Sequence, residues 1–291
     1  MSKSFRFWGL VPAWVLMLLM LILPIFVVAG VSVAERGSYG GFNWDFDLSS
    51  YRQILFTVGW TDELEFDPKY LLIIGRTLLF AGITTIICTL LALPVAYFIA
   101  LQNSGLKIAL LYLVTLPFWV SMIVRVYAWL IILGNDGILE KVFQLFGGPD
   151  IQGFLFTPGA MITGMVYSYV PLMILPVYAS VEKIDPSLIE ASHDLYGSRW
   201  VALRRVILPL AAPGLVAGGI LVFVPCLGTV LEPMLLGGGK QLMMGTLIQT
   251  QFGGARNWPF GAAVAMVLLT LVILFLLLNA RRAALRSEVV Q

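Results

Sequence analysis

Arg125 and Glu232 are the residues of this chain best placed to do chemistry, because each lies inside a long apolar run. An ionised side chain costs several kcal/mol near the centre of a bilayer and marks a functional position there by default. Glu232 stands directly before Pro233; a proline frees a backbone carbonyl one turn back and unwinds the helix locally. A carboxylate beside an unwound turn is a cation site. Asp136 follows Arg125 at the outer end of the same segment, and rings gather at similar depth: Phe118, Trp119, Tyr127 and Trp129, then Tyr167 and Tyr169. Ring faces hold ammonium groups at roughly 0.5–2 kcal/mol each. The candidate path for a charged solute is therefore Glu232, Asp136, Trp119, Tyr127, Trp129 and Arg125. Two plainer readings stand beside it: Arg125 and Glu232 as a structural ion pair, and Trp129 and Trp258 as an interfacial aromatic belt. With helical spacing, Arg125 and Trp129 share a face, while Trp119, Val126 and Tyr127 lie toward another, one face lining the path and the other packing against a neighbouring subunit.

Nothing here provides for bond-making chemistry. Gly237-Gly238-Gly239-Lys240 is followed by Gln241, and Met234 stands where a phosphate-binding loop needs its first Gly. It reads as a hairpin turn. The one His, His193, is placed in a polar loop, and Cys88 and Cys226 lie in apolar runs as inert thiols. The chain is expected not to be an enzyme, to hold no cofactor or metal itself, and to bind no nucleic acid.

The longest polar interruption in the second half is 182–209. Asp185 is a good N-cap with Pro186 at the first helical position, and Gly197 is placed to end that helix in the left-handed conformation. Ser198 can cap a second helix setting Trp200, Leu203, Val206 and Ile207 against Arg199, Arg204 and Arg205, an amphipathic pattern suited to a membrane surface.

These segments must be positioned by membrane spans. Hydrophobic residues make up 59% and charged residues 12% of 291, against about a quarter charged in soluble domains. Runs of about 20 apolar residues cross a bilayer, and six are expected, over 10–33, 71–100, 108–133, 158–181, 210–236 and 258–280, in a single domain. The third is bent by Pro117, and the fifth is interrupted by Pro213, Pro225 and Pro233. Lys3, Arg6, Lys107, Lys183, Arg199, Arg204, Arg205, Arg281, Arg282 and Arg286 all fall on one side, so both termini are expected in the cytoplasm. The acid-rich stretch from Glu35 to Lys69 is expected outside. The fold class is an all-α membrane protein.

The polar stretch resembles the EAA loop of ABC-importer permeases: Glu-Ala-Ala, three residues, Gly, nine residues, Ile-x-Leu-Pro. Glu190, Ala191, Leu208 and Pro209 match, Ser192 replaces the second Ala and Val206 the Ile; Tyr196 occupies the Gly position, with Gly197 one residue later. The resemblance implies a coupling helix that docks on a cytosolic ATPase through Glu190, Ala191, Ser192, Asp194, Gly197, Leu208 and Pro209. Leu116-Pro117-Phe118-Trp119, the Arg125–Trp129 run and Asn257-Trp258-Pro259-Phe260-Gly261-Ala262-Ala263 are similar to the spermidine/putrescine transporter permeases, and specifically to the first of their two permease subunits, over nearly the whole chain. This implies a type I ABC-importer permease fold in the bacterial cytoplasmic (inner) membrane. It also implies a second permease, two ATPase subunits carrying ATP and Mg, a soluble solute-binding protein, and an acidic pathway residue near Glu232. The binding protein would dock near Asp62 to Asp67 and Lys240. Polyamine import is the function expected. Another small solute, such as an amino-acid derivative or opine-like compound, is the alternative, and an ion-gradient-driven secondary transporter is a more distant one.

Overall fold

Helix α7, Pro158–Val181, is the most buried of six helices long and apolar enough to cross a membrane among the described residues. The computed structural model describes residues 3–58, 63–146 and 153–288, the side chains of 3–10, 12, 13 and 282–288 excepted; Asp62 and the side chains of Lys3, Arg6, Arg282 and Arg286 lie outside that set. The candidate spans are Trp14–Ser32, Lys69–Ala100, Met122–Leu145, Pro158–Val181, Arg199–Leu227 and Trp258–Arg281. The chain forms two compact units, one made of the residues up to Leu72 with those from Leu247 on, the other Ile73–Thr246.

In the first unit, α1 (Lys3–Ser32) packs against the last helix, Trp258–Glu288. The segment following α1 adds short strands to the mostly helical chain. It carries two antiparallel hairpins, β1 (Ala34–Arg36) with β2 (Phe42–Phe46), and β3 (Phe56–Val58) with β4 (Leu64–Phe66), separated by the short helix α2 (Ser49–Arg52). The alternation in Phe42-Asn43-Trp44-Asp45-Phe46 is the period of a strand. The Asn257–Gly261 motif also has a structural explanation. The Asn257 side-chain oxygen accepts the Phe260 backbone N–H at 3.3 Å and so caps the last helix. Pro259 sits in the first turn, Phe260 is fully buried, and Gly261 lies against Gln251 and Phe252, where a Cβ would come within 3.2 Å of the ring.

The second unit holds α3 (Lys69–Ala100) from Ile73 on, α4 (Ser104–Thr115), α5 (Met122–Leu133), α6 (Ile138–Leu145), α7, α8 (Pro186–Asp194), α9 (Arg199–Ala202), α10 (Leu208–Leu227) and the start of α11 (Met244–Phe252). The α7–α10 pair is its heart. Gly214 of α10 meets the Pro176 carbonyl and Ser180, and Gly218 meets Met173, a Cβ at Gly218 falling 2.6 Å from its sulfur. The small residues four apart let two backbones approach closely. Thr77, fully buried, donates to the Ile73 carbonyl at 2.8 Å and accepts the Met244 N–H at 3.0 Å. Thr77→Val is expected to leave that N–H unpaired and cost about 1–3 kcal/mol. Thermal unfolding of the assembled protein measures it, with Thr77→Ser as the variant that keeps the bond.

Two expected spans are built differently. The third is not one bent helix over 108–133. After α4 a single 3-10 turn covers Leu116–Trp119, Val120 is extended, Ser121 is the non-helical N-cap, and a new helix begins at Met122. Pro117 has no N–H to give the preceding turn and its ring clashes there, so the helix ends rather than bends. The fifth does not run continuously over 210–236. One helical run extends from Arg199 through a wide π turn at Leu203–Ile207 to Leu227, the chain leaves helix at 228–230, and a second π turn covers Glu232–Leu236. Both π turns lie at a proline, Pro209 just after the first and Pro233 inside the second. A missing donor there makes a wider i→i+5 turn the accommodation.

Candidate functional site

The break at 228–230 places Glu232 at the start of a π turn that packs against α5 and α7. Gly164 of α7 makes room for it: a Cβ there would meet the end of the Leu236 side chain and come within 3.6 Å of Glu232 Cγ. Glu232 is fully buried. One carboxylate oxygen, Oε2, accepts a short hydrogen bond from the buried Thr229 hydroxyl, while Oε1 has no hydrogen-bond partner. Arg125 enters the same unit from α5, with its Nε and Nη1 buried and likewise without partners. The buried Tyr169 of α7 lies within electrostatic reach of both charges. Buried polar atoms are nearly always paired, and each exception needs an explanation. Here three fall on two opposite charges.

The structural ion pair between Arg125 and Glu232 is not formed. Among the described residues the one ion pair is Lys107–Glu182, at 3.2 Å. An oxygen and two nitrogens thus remain unpaired and enclosed by the protein. The aromatic expectations divide. Trp129 packs edge-on against Tyr167, ring centroids 5.4 Å apart, joining α5 to α7. Trp119 is 87% exposed on the 3-10 turn, and Tyr127 is exposed on α5. Trp119 and Tyr127 do not share a helix, because the chain is extended between them, so the wheel that related them fails. Asp136 is exposed, in the left-handed conformation at φ 58°, and its backbone N–H donates to Glu140 Oε2 at 2.8 Å. It is a turn residue. Two residues escaped the sequence reading: Glu140, buried at the third position of α6, where an acid reaches back to the preceding backbone, and Thr229, three residues before Glu232. Among the described residues no three His, Cys, Asp or Glu side chains gather as a metal site.

The polar stretch forms the expected helix–break–helix. Asp185 caps α8, its side chain accepting the Ser187 N–H at 2.9 Å, which holds its carboxyl below the usual carboxylate range. At the other end the expected glycine geometry is reversed. Tyr196, not Gly197, takes the left-handed conformation, at φ 58°; the Tyr196 N–H donates to the His193 carbonyl and the Gly197 N–H to the Ser192 carbonyl, both at 2.9 Å. This is the paired closure of a Schellman motif. Gly197 is required by closeness instead, since a Cβ there would collide with the Ser192 carbonyl and fall 2.8 Å from its Oγ. Glu190, Ala191 and Asp194 are exposed on α8, and Leu208 and Pro209 are exposed at the start of α10. The Ser198 side chain accepts the Val201 N–H at 3.4 Å and caps α9. Just before α8, Glu182 at the end of α7 pairs with Lys107 of α4; the Tyr178 hydroxyl, then Lys107, holds its carboxyl below the ordinary value of 4.5. A depressed folded value means that this tie contributes at neutral pH and is lost as pH falls through that value.

Residues 4–286 match the family described as binding-protein-dependent transport system inner membrane component. The spermidine/putrescine transport system permease protein PotB of Salmonella typhimurium is 34% identical over 273 residues, 94% of this chain and 91% of that protein. PotB of Haemophilus influenzae is 35% identical over 272, or 93% and 91%. The inner membrane ABC transporter permease protein YdcU of Escherichia coli is 36% identical over 241, or 76% and 77%. Among solved structures, a bacterial alginate ABC transporter in complex with an alginate pentasaccharide-bound periplasmic protein superposes with a TM-score of 0.73 at 16% identity, covering 95% of this chain and 92% of that one. That likeness is one of fold.

Proposed function

We propose a polyamine such as spermidine or putrescine as the solute of this chain, which belongs to the family of binding-protein-dependent transport system inner membrane components. It is a permease subunit of an ABC importer, a multi-pass protein of the cytoplasmic membrane and not an enzyme; ATPase and solute-binding subunits are its partners. In finer detail the chain is the first of two permeases, with two copies of the ATPase carrying ATP and Mg, and with both termini cytoplasmic.

The observation that carries the polyamine is Glu232, a fully buried carboxylate with an unpaired oxygen on an interrupted helix. An ammonium group is its natural complement, and the PotB relatives are named for such solutes. Weak holding suits transport, because a cation bound through one carboxylate and ring faces can leave again. Coupling follows from connectivity. α8 packs on α9 and on the Leu203–Ile207 turn, which continues without a break into α10, and α10 lies along α7. When the ATPase subunits close and push on Glu190 and the exposed face of α8, the push is carried by one helical run to the break at 228–230, next to Glu232. Pro171, Pro176, Pro213 and Pro225 let these helices bend.

The test is ATP hydrolysis by the complex reconstituted in lipid with its ATPase, second permease and binding protein, comparing spermidine, putrescine, a basic amino acid and no ligand. Stimulation by a polyamine, abolished in Glu190→Lys, is the expected result. Arg125 favours a second reading: its buried, unpaired Nε and Nη1 suit a solute carrying a carboxylate, such as an amino-acid derivative. Stimulation by the amino acid alone would select that reading and discard the polyamine.

A further inference from the structure

A cavity of about 890 Å³ opens between the second half of α3 and the Ile189–Leu208 segment, within the size range of small-molecule sites. Its walls are apolar. Leu90, Leu93 and Leu101 face Leu203, Ile207 and Leu208 across it. Three side chains able to carry positive charge, His193, Arg199 and Arg204, also line it, and no carboxylate does. Arg199 and Arg204 are exposed and make no ion pair among the described residues. Trp200, 69% exposed, stands beside them, the kind of amphipathic ring that settles at the level of lipid headgroups.

We propose that this groove is a lipid site, taking one acyl chain of an anionic phospholipid between α3 and the Leu203–Leu208 run with the phosphate on Arg199 and Arg204. Charge and setting together select that occupant. Most of each wall, Thr89 to Tyr97 on one side and Arg199 to Leu208 on the other, belongs to a helix long and apolar enough to cross a membrane, so the apolar material at hand is an acyl chain. A rim of guanidinium groups without a balancing acid favours a net-negative headgroup, as basic pockets between transmembrane helices do. A zwitterionic lipid brings its own cation and gains less. The site bears on coupling because Ile189 and His193 of α8 line it: a bound lipid fills the space under α8 and braces it against α3, so that a push on α8 moves α10 instead of closing the groove. The inference goes beyond the solute and holds whichever solute is carried.

The test uses the assembled complex in nanodiscs of phosphatidylcholine containing a minor fraction of lipid brominated on its acyl chains, either phosphatidylglycerol or phosphatidylcholine. The signal is the tryptophan emission lost in Trp200→Phe, which isolates Trp200 from the other seven tryptophans. Brominated phosphatidylglycerol is expected to quench this component at a membrane fraction about 30-fold lower than brominated phosphatidylcholine, each guanidinium contributing about five-fold. The double variant Arg199→Gln with Arg204→Gln is expected to bring the two lipids level. Absence of Trp200 quenching by either lipid would overturn the proposal and mean that a neighbouring subunit covers the groove. Equal quenching by both lipids in the parent would overturn the anionic preference. That comparison needs no variant other than Trp200→Phe, so it decides even where the double variant fails to assemble. None of these readouts depends on transport, so a failure here is distinct from failure of the polyamine assignment.

Discussion

Glu232→Gln is expected to weaken polyamine-dependent uptake about 10-fold at subsaturating solute while leaving the thermal stability of the complex unchanged or raised. The uptake loss follows from replacing a charge-assisted interaction with a neutral one about half as strong, a difference of about 1–1.5 kcal/mol. The stability sign follows from burial. A fully buried carboxylate with one unpaired oxygen costs the folded state free energy, and Gln keeps the shape while removing the charge; Thr229 can still donate to its amide oxygen. A residue with only a structural role would behave the other way, with stability falling and the uptake of whatever complex remained unchanged. The companion Arg125→Met separates the solutes. Polyamine uptake is expected to survive it, because the guanidinium repels a cation. If Arg125→Met abolishes transport and Glu232→Gln does not, the cation site is wrong. Initial rates over a range of solute concentrations in proteoliposomes measure all of this.

Gly197→Ala and Tyr196→Gly are expected to act in opposite directions on one motif. The added Cβ of Gly197→Ala has nowhere to go, since it meets the backbone carbonyl of Ser192 rather than a flexible side-chain end. Opening the closure at Tyr196 and Gly197 should cost about 1–3 kcal/mol locally. The end of α8 then frays, and uptake per ATP hydrolysed falls by about 10-fold or more while hydrolysis continues. Tyr196→Gly removes the strain of a non-glycine residue at φ 58°, worth about 1 kcal/mol. Hydrogen exchange over 192–197 should slow in that variant and quicken in Gly197→Ala. Because Tyr196 is completely exposed, a Tyr196→Gly protein with slowed exchange and lost coupling would instead identify the ring as part of the ATPase contact.

Much of this protein follows from local rules acting on the sequence. Six apolar runs of spanning length identify a membrane protein, because a bilayer fixes how many residues a helix needs to cross it. Asp185-Pro186 and Ser198 mark helix starts, because capping depends on residues two or three positions away. The matching positions from Glu190 to Pro209 point to the importer permeases by residue type and spacing alone, and the family match places the chain there. Glu232 stands out because a charge in an apolar run is expensive wherever it lies.

Tertiary structure decided the rest. Pro117 signals a disturbed helix without saying whether the chain bends or breaks, and here it breaks between Trp119 and Met122. Motif spacing placed a glycine at the end of α8 without saying which residue turns left-handed; the positive φ falls on Tyr196, while position 197 has no room for a Cβ beside the Ser192 carbonyl. The partnership of Arg125 and Glu232 was open, since opposite charges on two spans pair only if packing brings them within reach. The π turn at 232–236 and the start of α5 leave both unpaired. Sequence alone determined that there are spans, caps and a buried carboxylate, because those are properties of neighbours along the chain. Which charges remain unpaired is set by neighbours through space, and only the fold supplies those.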